Sequence, residues 1–130
     1  MKTKTEYFMG LRDGVSYAYE YVEGQEPKVK YELYFDDGWK TGINRDFFAN
    51  GALSEYIEYV KGVKNGPFYK FNPQGILVKK GWYKNNLQHG MWYEYTDKGL
   101  LTRTGAYDLD KRNGEWTTYG ADGIFIKKKE

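Results

Sequence analysis

The chain has no cysteine, one histidine, two serines and only three prolines in 130 residues. Without thiols it can form no disulfide framework and no thiolate nucleophile, which fits a reducing compartment. With His89 alone there can be no multi-histidine metal cluster within the chain. A Ser-His-Asp triad would have to recruit Ser16 or Ser54, and neither stands in a Gly-x-Ser-x-Gly elbow. No apolar run approaches the roughly 18 residues of a membrane span, and the N-terminal MKTKTEYFMG lacks the apolar segment of a signal peptide. A soluble cytoplasmic protein is the expectation. Charge of one sign is lacking too: 20 Lys and Arg against 18 Asp and Glu leave +2, too little to make nucleic acid the default partner. The one basic run, Lys127-Lys128-Lys129, reads as a solvated end.

What the chain does contain is aromatic residues and glycine: 14 Tyr, 7 Phe, 4 Trp and 16 Gly. They recur with a period of 24, the signature of a repeat architecture. One glycine column runs Gly42, Gly66, Gly90 and Gly114; a second runs Gly51, Gly75, Gly99 and Gly123; a third holds Gly81 and Gly105. Aromatic columns run through Phe35, Tyr59, Tyr83 and Tyr107 and through Phe47, Phe71, Tyr95 and Tyr119. An apolar column holds Leu53, Leu77, Leu101 and Phe125.

These columns divide a single domain, 1–130, into five units: 7–34, 35–58, 59–82, 83–106 and 107–130. The first is longer, since Tyr7 and Phe35 are 28 apart, and its extra residues are expected in a loop at Glu23 to Lys28. Within a unit, runs such as Met91 to Tyr95 are strand-like and Thr96-Asp97-Lys98-Gly99 is a turn. Asn65-Gly66 and Asn113-Gly114 read as further turn signals, the latter ending a longer connection from Asp108. No segment carries a helical apolar period. The expected fold is all-β: an elongated single-layer antiparallel meander of about five stacked hairpins, roughly 50 Å long. Strand alternation leaves one question open. Trp92 and Tyr95 should point oppositely in a regular strand, so either both faces carry aromatics or the strand contains a bulge.

Gly90 to Leu101, GMWYEYTDKGLL, resembles the MORN-repeat variant pattern Gly-x-[Trp/Phe]-x-x-[Tyr/Phe]-x-x-x-Gly-x-Leu. Gly66 to Leu77 matches with Phe68 and Phe71, and Gly114 to Phe125 with Trp116 and Tyr119, Phe125 replacing Leu. In residues 35–58 Asn44 replaces the first aromatic, and residues 1–34 match loosely. The resemblance implies stacked antiparallel hairpins. Bacterial chains with such repeats are similar to the YwqK-type antitoxins, which implies neutralisation of a toxin or effector enzyme by binding. Longer MORN proteins imply a scaffold, in some cases at membrane phospholipids.

No catalytic, metal or cofactor-binding residue emerges from the sequence. Asp108-x-Asp110 with Asn113-Gly114 lacks the Gly and Glu that a calcium loop needs at 113 and 119. Glu94 and Glu115 could serve a carbohydrate-active enzyme only if a cleft held both, and read more simply as charges on an exposed face. The residues that vary between copies are more informative: Tyr34, Glu58, Trp82 and Ala106 in one column, Arg45, Tyr69, Tyr93 and Thr117 in another. A repeat scaffold tunes its specificity in such columns while the framework stays fixed. Tyr69, Trp82, Tyr93 and Arg103 are therefore expected to face a protein partner, in a binding module that inhibits or neutralises it. The alternative is a scaffold that self-associates through its sheet edges or binds anionic lipid through Lys127 to Lys129.

Overall fold

The computed structural model describes residues 4–9, 14–120 and 125–129, with side chains over 14–19 and 23–120. Gly123 and the side chains of Tyr7, Phe125 and Lys127 to Lys129 lie outside the described residues. The strands are β1 (Lys4–Met9), β2 (Gly14–Val22), β3 (Lys28–Asp36), β4 (Trp39–Lys40), β5 (Gly42–Phe47), β6 (Leu53–Val60) and β7 (Val63–Phe71). They continue as β8 (Leu77–Lys84), β9 (Leu87–Gln88), β10 (Gly90–Tyr95), β11 (Leu101–Asp108), β12 (Lys111–Tyr119) and β13 (Phe125–Lys129). All pairings are antiparallel and follow chain order, so one open sheet forms a single-layer meander. Short β4 and β9 run on into β5 and β10 after one-residue breaks at Thr41 and His89.

The columns of the sequence are cross-strand pairs. Gly14, Gly42, Gly66 and Gly90 stand opposite Phe35, Tyr59, Tyr83 and Tyr107. Phe47, Phe71, Tyr95 and Tyr119 stand opposite Leu53, Leu77, Leu101 and Phe125, closing each hairpin before its turn. Between these pairs the register skips one residue of the return strand: Lys30, Ser54, Val78, Thr102 and Ile126 in turn, at a spacing of 24. The extra residue lies on the return strand, so the strand that carries Trp92 and Tyr95 keeps its alternation and both faces carry aromatics.

Two local expectations are corrected. Asn65-Gly66 and Asn113-Gly114 lie inside β7 and β12 and do not turn the chain. The tight turns are Asp37-Gly38, Lys61-Gly62, Asn85-Asn86 and Leu109-Asp110, with φ between 46° and 86° at every one of these residues. Two successive positive φ values match the right-handed twist of the flanking strands, so geometry selects the site over the Asn-Gly signal. The connection after Asp108 is accordingly short, and an irregular register in β11 and β12 follows it. In the first unit the extra residues do not all enter the loop. They add one cross-strand pair, Glu20 with Lys28, and carry β2 on to Val22, which leaves residues 23–27 between β2 and β3 where the next hairpin has 48–52.

Turns at both ends are tied to turns one hairpin away. Asn86 and Asp110 donate their backbone N–H to the carbonyls of Lys64 and Gln88, and their side chains accept from the N–H of those residues at 2.8 and 2.6 Å. At the opposite end Asn50 donates to the Pro73 carbonyl at 2.8 Å and Asn72 to that of Asp97 at 3.0 Å. Such ties satisfy loop backbone that a one-layer sheet could not otherwise cover.

The core lies on one face. Phe68, Trp92 and Trp116 are buried at the same place in successive hairpins, with Ile57, Tyr83 and Tyr107 packed against them. Tyr83 meets Phe68 and Trp92 edge-on at 5.7 and 5.2 Å, and Tyr107 meets Trp92 and Trp116 at 6.0 and 5.1 Å. This ladder of edge-to-face rings has no second layer above it. Long cationic side chains roof it instead: Lys64 lies 5.0 Å from the Tyr83 ring centre, Lys79 5.6 Å from Trp92 and Arg112 4.7 Å from Trp116. Their stems cover apolar surface while the charged ends stay wet.

Candidate partner-binding face

Cross-strand pairing places both variable columns on the face opposite the ladder. Glu32, Arg45, Tyr56, Tyr69, Lys80 and Tyr93 are successive partners across the sheet, and the row continues through Thr104 to Thr117. Beside it, Trp82 stands opposite Pro67 and Met91 opposite Ala106. Columns spaced by 24 in the sequence thus become two neighbouring rows perpendicular to the strands.

Polar and aromatic contacts hold the first row flat. Arg45 donates to Glu32 at 3.2 Å and lies 5.6 Å from the Tyr56 ring centre. Tyr56 meets Tyr69 edge-on at 5.5 Å, and the Lys80 ammonium lies 4.9 Å from the Tyr93 ring centre. Trp82 and Met91, in the second row, are each 49% exposed. Together with Pro67, Tyr69 and Tyr93 they line a shallow depression of about 280 Å³.

Of the four residues expected to face a partner, Tyr69, Trp82 and Tyr93 therefore share one depression. Arg103 does not join them. It projects from the ladder face, donates from Nε to Glu94 at 2.6 Å and lies 5.6 Å from the Trp116 ring centre. Its alternation with Thr104 on β11 decides this, and the bulge at Thr102 hides that parity in the sequence. Met91 and Pro67, which the column comparison did not select, complete the depression. Met91 is marked by its exposure and Pro67 by its place opposite Trp82, neither of which a sequence displays.

Three other residues considered for chemistry have local neighbours of their own. His89 sits in the break between β9 and β10 with Nδ1 3.8 Å from Asp108. Asp110 is occupied by the N–H of Gln88, and Glu94 by Arg103. Among the described residues no group of three His, Asp or Glu side chains could hold a metal ion, and no helix is long and apolar enough to cross a membrane.

On the ladder face Asp46 and Glu55 stand directly opposite each other. Burial, followed by the charge of Glu55 and a hydrogen bond with it, raises the Asp46 pKa above its usual 3.8. A folded-state value above the unfolded one means that Asp46 favours folding at acidic pH and disfavours it as pH rises through the raised value. Asp46→Asn is expected to raise Tm by about 2 °C at pH 7. The gain should fade as pH falls through the raised value and be gone by about pH 3, where the carboxyl is protonated in both states. Scanning calorimetry at the two pH values checks this, and a gain independent of pH would refute it.

The chain matches no family model and no curated relative.

Proposed function

We propose that this chain is a non-catalytic protein-binding module that inhibits or neutralises its partner, docking it on the face opposite the aromatic ladder. The observation that carries this reading is the convergence of both variable columns on that face, around a half-exposed Trp82 and Met91. Aromatic anchors in a desolvated depression are the usual source of binding energy at protein interfaces. A sheet tied at both ends has little conformational freedom left to lose on docking. The resemblance to antitoxin repeat proteins supplies the neutralising role, with a toxin or effector enzyme as partner.

Co-purification from the native cell at physiological salt tests the proposal, with wild-type and Trp82→Ala chains compared. A protein partner is expected to be retained by the wild type and bound at least tenfold more weakly by Trp82→Ala. If no protein is retained, or if retention is indifferent to Trp82, the proposal fails.

One observation favours a second reading, a scaffold that self-associates. β1 and β13 each pair on one side only in the described sheet, and an unpaired edge templates strand addition. A monomeric mass at high concentration would remove it.

A further inference from the structure

The aromatic ladder stops at Phe68. Stepping back one hairpin from Trp116, Trp92 and Phe68 leads to Asn44, at the same place in β5. Asn44 is 4% exposed, and its Oδ1 is shut from solvent with no hydrogen-bond partner. Buried polar atoms are normally paired, so an orphaned amide oxygen signals a missing donor. Each ladder ring leans on the strand before it: Trp116 lies on Gly105, Trp92 on Gly81, and Phe68 packs against Ile57. Asn44 is too short to do the same, and a groove of about 570 Å³ opens there.

The walls of this groove include Leu33, Ile57, Tyr59 and Phe68. Its charges are ordered along one transverse row: Asp46, Glu55, Lys70 and Lys79 are successive cross-strand partners. Two carboxyls thus stand at one end and two ammoniums at the other. Lys40 and Lys64 also line the groove, which leaves cationic groups in excess.

We propose that this groove binds a small planar aromatic ligand carrying one anionic group. Its ring takes the vacant ladder place beside Phe68, the Asn44 side chain turns to present Oδ1 to a ring N–H or hydroxyl, and its anion rests at Lys70 and Lys79. Asp46 and Glu55 repel the anion from the opposite end and so fix the ligand's direction. A concave site whose convergent polar groups fix a ligand's orientation is the usual form of a small-ligand site. Nucleoside monophosphates and aromatic carboxylates share this chemistry. The site is on the ladder face and does not rest on the protein-docking reading.

The test titrates the full chain with guanosine 5′-monophosphate and, separately, with 4-hydroxyphenylacetate, following the Asn44 side-chain amide and the Phe68 ring by NMR. One probe is expected to shift both signals in a saturable way below about 1 mM, and which one does so separates the two sources. Asn44→Leu removes the acceptor while keeping the same branched set of side-chain heavy atoms and should weaken binding at least tenfold. Lys79→Gln, on the rim and outside the core, should weaken it severalfold. Asn44→Phe should refill the ladder, raise Tm and abolish binding. The proposal is overturned if neither probe moves the Asn44 signals at about 5 mM, if Asn44→Leu binds as well as the wild type, or if Asn44→Phe lowers Tm.

Discussion

Trp92→Ala should lower the unfolding free energy by about 4 kcal/mol, the middle of the range for loss of a buried aromatic. Trp92 is 1% exposed, touches Phe68, Tyr83 and Tyr107, and donates its Nε1–H to the Trp82 carbonyl at 3.2 Å. Its removal would cut the ladder in the middle and leave a cavity that a single-layer sheet has no second layer to collapse into. Trp82→Ala, ten residues away in sequence, should cost about 1 kcal/mol or less, since its side chain is half exposed. Urea denaturation of the two variants reads this contrast. Equal losses would mean that the ladder is not the core.

Gly81→Ala should cost about 3 kcal/mol, which is large for one methyl group. A Cβ at Gly81 would fall inside the Trp92 indole, and one at Gly105 inside that of Trp116. Gly81 is there for space and not for backbone freedom, unlike Gly75, whose φ of 86° lies in a turn with open space around it. The ladder also predicts the remedy. Phe68 coexists with Ile57 as its neighbour, so a smaller ring tolerates a larger partner. Combining Gly81→Ala with Trp92→Phe should therefore cost less than the two losses added together, a coupling that a double-mutant cycle in urea measures. Strict additivity would contradict the assignment of Gly81 to the space under the indole.

Much of the fold was legible because a hairpin repeat writes its cross-strand pairs into the sequence as columns. The Gly66–Tyr83 and Phe71–Leu77 pairs are both visible as recurring positions, 17 and 6 residues apart, without any structure. The turns were less legible, because composition competes with geometry. Leu109-Asp110 turns with φ of 48° and 73° although Leu has no preference for that region, while Asn113-Gly114 is drawn into β12. The faces were the least legible. Skipped residues such as Val78 and Thr102 interrupt the alternation that would otherwise assign each side chain a side, so the sequence does not show that Arg103 and Tyr69 lie on opposite faces. Asn44 shows a different limit. In the sequence it is a weak match to an aromatic column, and only its burial and its unpaired oxygen reveal a groove.

A single-layer sheet must reconcile a buried core with two solvated faces, and here the faces divide the work. The ladder face buries rings beneath Lys64, Lys79 and Arg112, while the other face carries the positions that differ between repeats. The most direct test of this division is the affinity of the captured partner, by titration calorimetry, for Trp82→Ala and for Arg103→Gln. Trp82→Ala is expected to bind at least tenfold more weakly and Arg103→Gln within about twofold of the wild type. A partner that loses affinity with Arg103→Gln and is indifferent to Trp82→Ala would place binding on the ladder face and contradict the division.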